Sequence, residues 1–487
     1  MNRIAWILAP LLLNAVACTR APEPPSDPAA ESAPANDATA AAVPTSPQTP
    51  GRTGTPEEPP AEMELAAAEL LAQRLPPEQA RQGWIRLFDG QTLFGWEIAS
   101  DANWRVEEGA IVVDSGEPGL LCTSTAWHDY ELTLEFLADP DTNSGVFLRT
   151  PLQPSDPASD CLEVNIAPDD NPFPTASVVS RVRAEDLPPQ EFDRWRRLTM
   201  RIEGDRLTVT LDGKPACEVV DEGGLVGGRV GLQLNSGKVA FRDVRLRPLG
   251  AESLLDDELS AWKRYPEMDG SFAVTDEGGL HVRGGKTQLE SLRQYDDFTL
   301  LAEYEMIHPE TNSGIFFRSI PGDEMMGYEC QVNDEMIDGD PLRPADAGTG
   351  GIFRRQDARI VAAFDDRPNT VLLATRGPHF AAWVNGIQVS DVTDDREPDE
   401  NPRRGKRLEA GTLMIQGHDA ETDIIYHRLR IAPFPGVTSQ ANSDDDAPAN
   451  PDDSPVKPDD APVKPDDAPV KPDDAPVKPD DAPDGSP

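Results

Sequence analysis

Glu329, Gln331 and Asn333 occupy alternate positions in the segment Gly327 to Asn333, and Met414, Gln416 and His418 alternate in a second segment. On a β-strand, alternate residues share one face. Two neighbouring strands of this kind would present a carboxylate, three amides and an imidazole together. Such groups can take and return protons and can hydrogen-bond the hydroxyls of a sugar. The same pattern is also what the solvated face of an antiparallel sheet produces. Asn312-Ser313-Gly314 precedes an apolar run and reads as a turn entering a strand, with Arg318 expected on the face of Gly314. Asn143-Ser144-Gly145 and Arg149 repeat that arrangement. Thr349-Gly350-Gly351-Ile352-Phe353-Arg354-Arg355 is a glycine-rich turn carrying two cations. It could set backbone N–H groups and guanidinium groups near a developing negative charge, or it could be a packed turn with surface ion pairs. His418 is followed by Asp419, and a lone histidine is more often structural or exposed than catalytic. The chain has no Gly-x-Ser-x-Gly elbow and no His-Glu-x-x-His motif.

The elements that would position these residues are short strands. After Gly83, alternating runs such as Tyr130 to Phe136, Leu207 to Leu211 and Val239 to Leu246 are separated by turn residues, with Asp212-Gly213 as a hairpin signal. The series then repeats. Asn143 to Arg149 corresponds to Asn312 to Arg318, Leu162-Glu163-Val164-Asn165 to Tyr328-Glu329-Cys330-Gln331, and Leu211-Asp212-Gly213 to Val384-Asn385-Gly386. Ordered matches of this kind mean two copies of one domain. The expected fold is all-β: two tandem jelly-roll or β-sandwich domains at 80–249 and 251–436, with the boundary near Gly250. Leu65, Leu70, Leu71 and Leu75 predict one short helix over 61–75, stopped by Pro76-Pro77.

The totals narrow the partners. The chain has 487 residues and a formal charge of −43, from 44 Lys+Arg against 87 Asp+Glu. Nucleic acid needs clustered cations and is excluded as a partner, and an anionic membrane surface is a poor one. A neutral sugar or a metal cation suits the composition better. Residues 18–60 form a Pro/Ala-rich linker, and 437–487 an acidic tail repeating Lys-Pro-Asp-Asp-Ala-Pro-Val. With 14 Asp and 4 Lys from Asp444 onward, that tail accounts for −10 of the charge. Neither segment has the apolar surface to fold. Arg3, the apolar stretch Ile4 to Leu13 and Ala15-Val16-Ala17-Cys18 read as a signal peptide over 1–17 ending in a lipobox. The last four residues resemble the bacterial lipoprotein lipobox, which implies that cleavage would free Cys18 as a lipid-anchored terminus in a bacterial envelope, and by the same resemblance Thr19 in the following position would favour the outer membrane. Plain secretion is the alternative. Cys122, Cys161, Cys217 and Cys330 match no zinc spacing and leave room for one disulfide within a domain or for buried thiols.

Gly83-Trp84-Ile85-Arg86-Leu87-Phe88-Asp89-Gly90 through Trp96 resembles the opening of the 3-keto-disaccharide hydrolase domain family, which has a concanavalin A-like jelly-roll fold. Asn-Ser-Gly-(Val/Ile)-Phe, the Glu-x-(Gln/Asn) strand, Phe241-Arg242-Asp243-Val244-Arg245, Thr349-Gly350-Gly351-Ile352 and Ile415-Gln416-Gly417-His418-Asp419 are similar to it as well. The resemblance implies cleavage of sugars already oxidised at C3, where the ketone acidifies the C2 proton and the glycosidic oxygen leaves from C1. On that reading Glu329 is the base or a metal ligand, His418 is its acid/base partner, and Arg318 or Arg354 stabilises the enolate. A divalent metal held by Glu329 and His418 is the other way to stabilise it. Asn312, Gln331, Asn333 and Gln416, with Glu163 and Arg149 in the first copy, would bind substrate. In the first copy Asn235 aligns with His418, and the Thr-Gly-Gly turn finds no clear counterpart around Thr175-Ala176-Ser177, so that copy reads as a binding or supporting domain. A non-catalytic, lectin-like lipoprotein remains the competing reading.

Overall fold

A computed structural model describes residues 66–435 except 188, 190 and 193. The expected signal peptide, the Cys18 anchor, the linker and the acidic tail lie outside the described residues.

Each copy is a sandwich of one eight-stranded and one five-stranded antiparallel sheet. The five-stranded sheet of the first copy comprises β1 (Trp96–Ile98), β2 (Gly119–Thr123), β3 (Ser144–Thr150), β4 (Leu162–Ile166) and β5 (Arg229–Leu234). In space they run β1-β2-β5-β3-β4. That of the second copy comprises β6 (Trp262–Arg264), β7 (Thr287–Tyr295), β8 (Ser313–Ser319), β9 (Tyr328–Val332) and β10 (Gly411–Gly417). Its order, β6-β7-β10-β8-β9, repeats the first. The fold is therefore the expected pair of tandem all-β sandwiches.

Alternation in the sequence is what builds the second sandwich. Tyr328, Cys330 and Val332 of β9, Ile315 and Phe317 of β8 and Leu413 and Ile415 of β10 turn inward. They pack on Phe298, Leu300, Tyr304, Val371 and Leu373 of the larger sheet. Each such side chain contributes about 1.5–3 kcal/mol by leaving water. The opposite residues of the same strands form the outer face, where the candidate site lies.

The alternation breaks at one matched position in each copy. Arg149 and Arg318 have left-handed backbones, with φ of 53° and 48°, and pairing to the neighbouring strand shifts beside each. A bulge of this kind adds a residue and re-aims the side chains that follow. Arg318 is consequently buried rather than on the outer face. It donates to the carbonyls of Asp296 and Arg407 and pairs with Asp297 at 2.8 Å. Arg149 donates to the carbonyls of His128, Gly204 and Leu225 and pairs with Asp129 at 2.8 Å. The expectation that both share a face with the preceding glycine is corrected by these bulges.

The two sandwiches meet along a seam. Trp127 and Trp383 lie 5.5 Å apart between ring centroids, and the first core continues into Leu301, Leu372 and Ala381 of the second copy. Asp89, of the Leu-Phe-Asp-Gly opening that occurs only once, accepts from the N–H groups of Gln91 and Thr92 and pairs with Arg359 across the seam at 3.0 Å. The expected helix is shorter than 61–75: it spans Ala67–Ala72, and residues 61–65 are not described. Leu70 of this helix packs into the core of the second copy. The helix ends at Ala72, before reaching the expected stop at Pro76-Pro77, and Pro77 instead opens a second helix, Pro77–Arg81. The first helical position needs no N–H, so proline suits it. The four described cysteines are free thiols; Cys122, Cys161 and Cys330 are buried.

Candidate functional site

The outer face of the second small sheet carries two cross-strand rows. The pairing sets Glu329 beside Phe316, Phe316 beside Met414 and Met414 beside Glu290. The adjoining row runs from Gln331 through Gly314 to Gln416 and Gln288. Glycine at 314 is required by its neighbours. A Cβ there would stand 2.5 Å from Glu329 Oε1 and 3.2 Å from Gln416 Oε1, so the notch over Gly314 is where these two side chains meet. Gly314→Ala should displace the carboxylate. With Glu329 as the expected base, a misplacement of an ångström, which costs up to about a hundredfold in rate, should lower turnover about ten- to a hundredfold while the melting temperature changes little. Parallel activity and melting measurements check this.

The amides around the notch hold their donors inward. Gln331 donates to the carbonyl and carboxylate of Asp346, both at 2.8 Å, and Asn312 donates to the same carboxylate at 2.7 Å. Gln416 donates to Met325 Sδ at 3.3 Å. Their oxygens, Asn312 Oδ1, Gln331 Oε1 and Gln416 Oε1, are buried without a partner. Each such orphan costs about 1–3 kcal/mol. Three acceptors awaiting donors suit a ligand rich in hydroxyl groups. Asn333 does not join them: its oxygen accepts from the N–H of Glu335 and closes the turn after β9.

Two carboxylates lie in the first row, and their surroundings separate them. Glu290 accepts from Gly322 N, Thr412 Oγ1 and the Tyr265 hydroxyl, and so anchors the loop after β8. Glu329 has no hydrogen-bond or ion-pair partner among the described residues. Burial pushes its carboxyl up to about 7; the charge of Asp346 adds to the rise, and Arg403 and Arg354 oppose it. A carboxylate poised there is a competent base near neutral pH.

The cations come from two loops. The Thr349–Arg355 turn runs along the free edge of β9, where Gly350 N–H bonds Gln331 O and Phe353 N–H bonds Glu329 O, both at 2.9 Å. The turn's N–H groups from Thr349 to Phe353 are all taken by the protein, so it does not offer them to a ligand. What it delivers is Phe353, Arg354 and Arg355. Arg403 arrives from the loop before β10, held by the carbonyl of Met325 at 2.8 Å. With Phe316, Tyr328 and Glu329 these residues line a cavity of about 90 Å³.

His418 is not part of this group. It lies beyond the end of β10, half exposed, with Nδ1 2.7 Å from Asp419. In the sheet register it is four residues past Met414, the residue two strands from Glu329. At about 3.3 Å per residue that is roughly 13 Å along the strands, before any distance across them. The two residues expected to act as a pair, or to share a metal, are therefore held apart. Among the described residues no group of three or more His, Cys, Asp or Glu is placed to hold a metal ion. Glu329 and His418 do not fit that role.

The first copy keeps the carboxylate and loses the cations. Burial raises Glu163 to about 7, and Gly145 and Gln233 flank it as Gly314 and Gln416 flank Glu329. Leu120 and Cys122 stand where Gln288 and Glu290 stand in the second copy. The turn expected to have no counterpart does have one. Ala176 N–H bonds Asn165 O and Val179 N–H bonds Glu163 O, and Ala176 and Ser180 share the left-handed backbone of Gly350 and Arg354. Ser180 thus replaces Arg354, and Arg181, in the place of Arg355, is tied to Asp221 at 2.9 Å.

The family model of 3-keto-alpha-glucoside-1,2-lyase-like domains matches residues 83–247 and again 250–432. The chain belongs to this family. Both copies are members, and the family's glycoside chemistry agrees with a site of free hydroxyl acceptors. A Parabacteroides distasonis protein provisionally assigned as a glycosyl hydrolase is 19% identical, spans 36% of this chain and 98% of its own, and gives a TM-score of 0.32. The carbohydrate-binding module CBM66 of Bacillus subtilis is 17% identical over 31% of this chain and 95% of its own, with a TM-score of 0.26. No curated protein matches the chain.

Proposed function

We propose that the second copy cleaves 3-keto-glycosides, with Glu329 as the base. The reading rests on one observation: a carboxylate raised to about 7 that, among the described residues, has no hydrogen-bond partner and lies beside arginines with no carboxylate of their own. Glu329 takes the proton from C2 of the keto-sugar. The C–H electron pair forms the C2–C3 double bond, and the charge moves to the C3 oxygen, where Arg354 and Arg403 stabilise it. The enolate then reforms the ketone and expels the glycosidic oxygen from C1, leaving a C1–C2 double bond. The proton now on Glu329 is available to the departing oxygen, and water adds to the double bond afterwards. Asn312, Gln331 and Gln416 hold the sugar hydroxyls. The first copy, with Glu163 but with Ser180 and the ion-paired Arg181 in the places of Arg354 and Arg355, is proposed as a sugar-binding partner.

Release of the leaving alcohol from a neutral 3-keto-α-glucoside tests this proposal. Retention of the glycoside without release would instead make both copies binding modules.

A further inference from the structure

The cavity beside Glu329 contains more positive charge than an enolate requires. Arg354, Arg355 and Arg403 all line it. None has a carboxylate at ion-pair distance among the described residues. Arg355 donates to the carbonyls of Arg354 and Pro402 and leaves Nε buried without a partner. Arg354 lies 5.2 Å from the ring of Phe353, and Arg403 meets a carbonyl. A shortage of acids does not explain this, because the chain has 87 Asp+Glu for 44 Lys+Arg. The adjacent Arg396 and Arg404 each take one, at 2.8 and 3.0 Å. Nor is it a feature of the fold, since the first copy has Ser180 and an ion-paired Arg181 at the matching positions.

An enolate bears a single charge, whereas a guanidinium fork is matched to the paired oxygens of a carboxylate or a sulfate. The cavity opens to solvent and shares Glu329 with the notch at Gly314. It has room for such a group. The ring itself would lie over the notch at Gly314. We propose, building on the reading of Glu329 as the cleavage site, that the preferred substrate is a 3-keto-glycoside carrying an anionic substituent bound by Arg354, Arg355 and Arg403.

The test compares kcat/KM for a neutral 3-keto-α-glucoside with its 6-carboxylate and 6-sulfate counterparts. In parallel, calorimetry measures binding of the three unoxidised parent glycosides to Glu329→Gln. At least one anionic substrate should exceed the neutral one by about tenfold or more, and the better of the two identifies the anion. That ratio should fall toward one in both Arg403→Ala and Arg354→Ala, whose folding is checked by melting. Equal kcat/KM for all three substrates overturns the anionic preference and leaves the cleavage function standing. If none is turned over, the cleavage reading falls and binding alone decides. Tenfold tighter binding of an anionic glycoside then supports the site, and equal binding overturns it.

Discussion

Glu329→Gln is expected to lower turnover of a 3-keto-glycoside by about 10²–10⁴-fold, the usual contribution of a positioned base. The substitution keeps the side chain's shape over Gly314 and removes only its ability to take a proton. Glu163 in the first copy is untouched, so a residual rate near the wild-type value would mean that the first copy, and not the second, carries the chemistry. The pH dependence gives a second reading of the same residue. The active form is the carboxylate, so kcat/KM should rise as pH passes about 7. Stability moves the other way. A carboxyl whose pKa is raised on folding favours the folded state below its ordinary range near pH 4.5, and that advantage is lost as pH rises through about 7. Glu329→Gln cannot ionise. Its melting temperature relative to wild type should therefore climb between pH 5 and pH 8.5. A flat difference across that range would mean that Glu329 titrates as an exposed acid.

Arg318→Met is expected to cost about 3–5 kcal/mol of stability, because it leaves the Asp297 carboxylate without its buried partner. It also frees the carbonyls of Asp296 and Arg407. At about 2–4 °C per kcal/mol for a domain of this size, the melting temperature should drop by roughly 6–20 °C. Asp297 keeps its second contacts, Arg376 at 3.3 Å and the Gly377 N–H at 2.8 Å, which argues for the lower half of that range. Arg354→Met, at an exposed position without a carboxylate partner, should barely change the melting temperature while lowering turnover. A variant at Arg318 that melts like wild type but has lost activity would place that guanidinium at the reacting sugar after all.

The contrast between these two arginines shows where the sequence is informative. Period-two alternation and the internal repeat reveal the sandwiches, because a strand's inward and outward faces are written directly in residue type. The row of Glu329 and Gln331 is legible for the same reason. Arg318 is misread because a left-handed arginine looks like any other in sequence, and one bulge reverses the face. The Thr175 turn is missed because Ala176 and Ser180 adopt backbone angles usually associated with glycine. Arg403 and Asp346 reach the site from loops far away in sequence. A run of cations, Arg403-Arg404-Gly405-Lys406-Arg407, in an otherwise acidic chain is the signal that could have pointed to the first. His418 is read onto the right strand edge but too far along it, since alternation fixes a face and not a distance.

Removal of the C2 proton by Glu329 is the step on which the proposed function depends. It is tested most directly by turnover of a 3-keto-α-glucoside carrying deuterium at C2. Deuterium should be lost to solvent from the released sugar, turnover should be slower than with the protiated substrate, and both effects should vanish with activity in Glu329→Gln. Cleavage with the deuterium fully retained at C2 would contradict the account and would assign the bond breaking to direct displacement at C1.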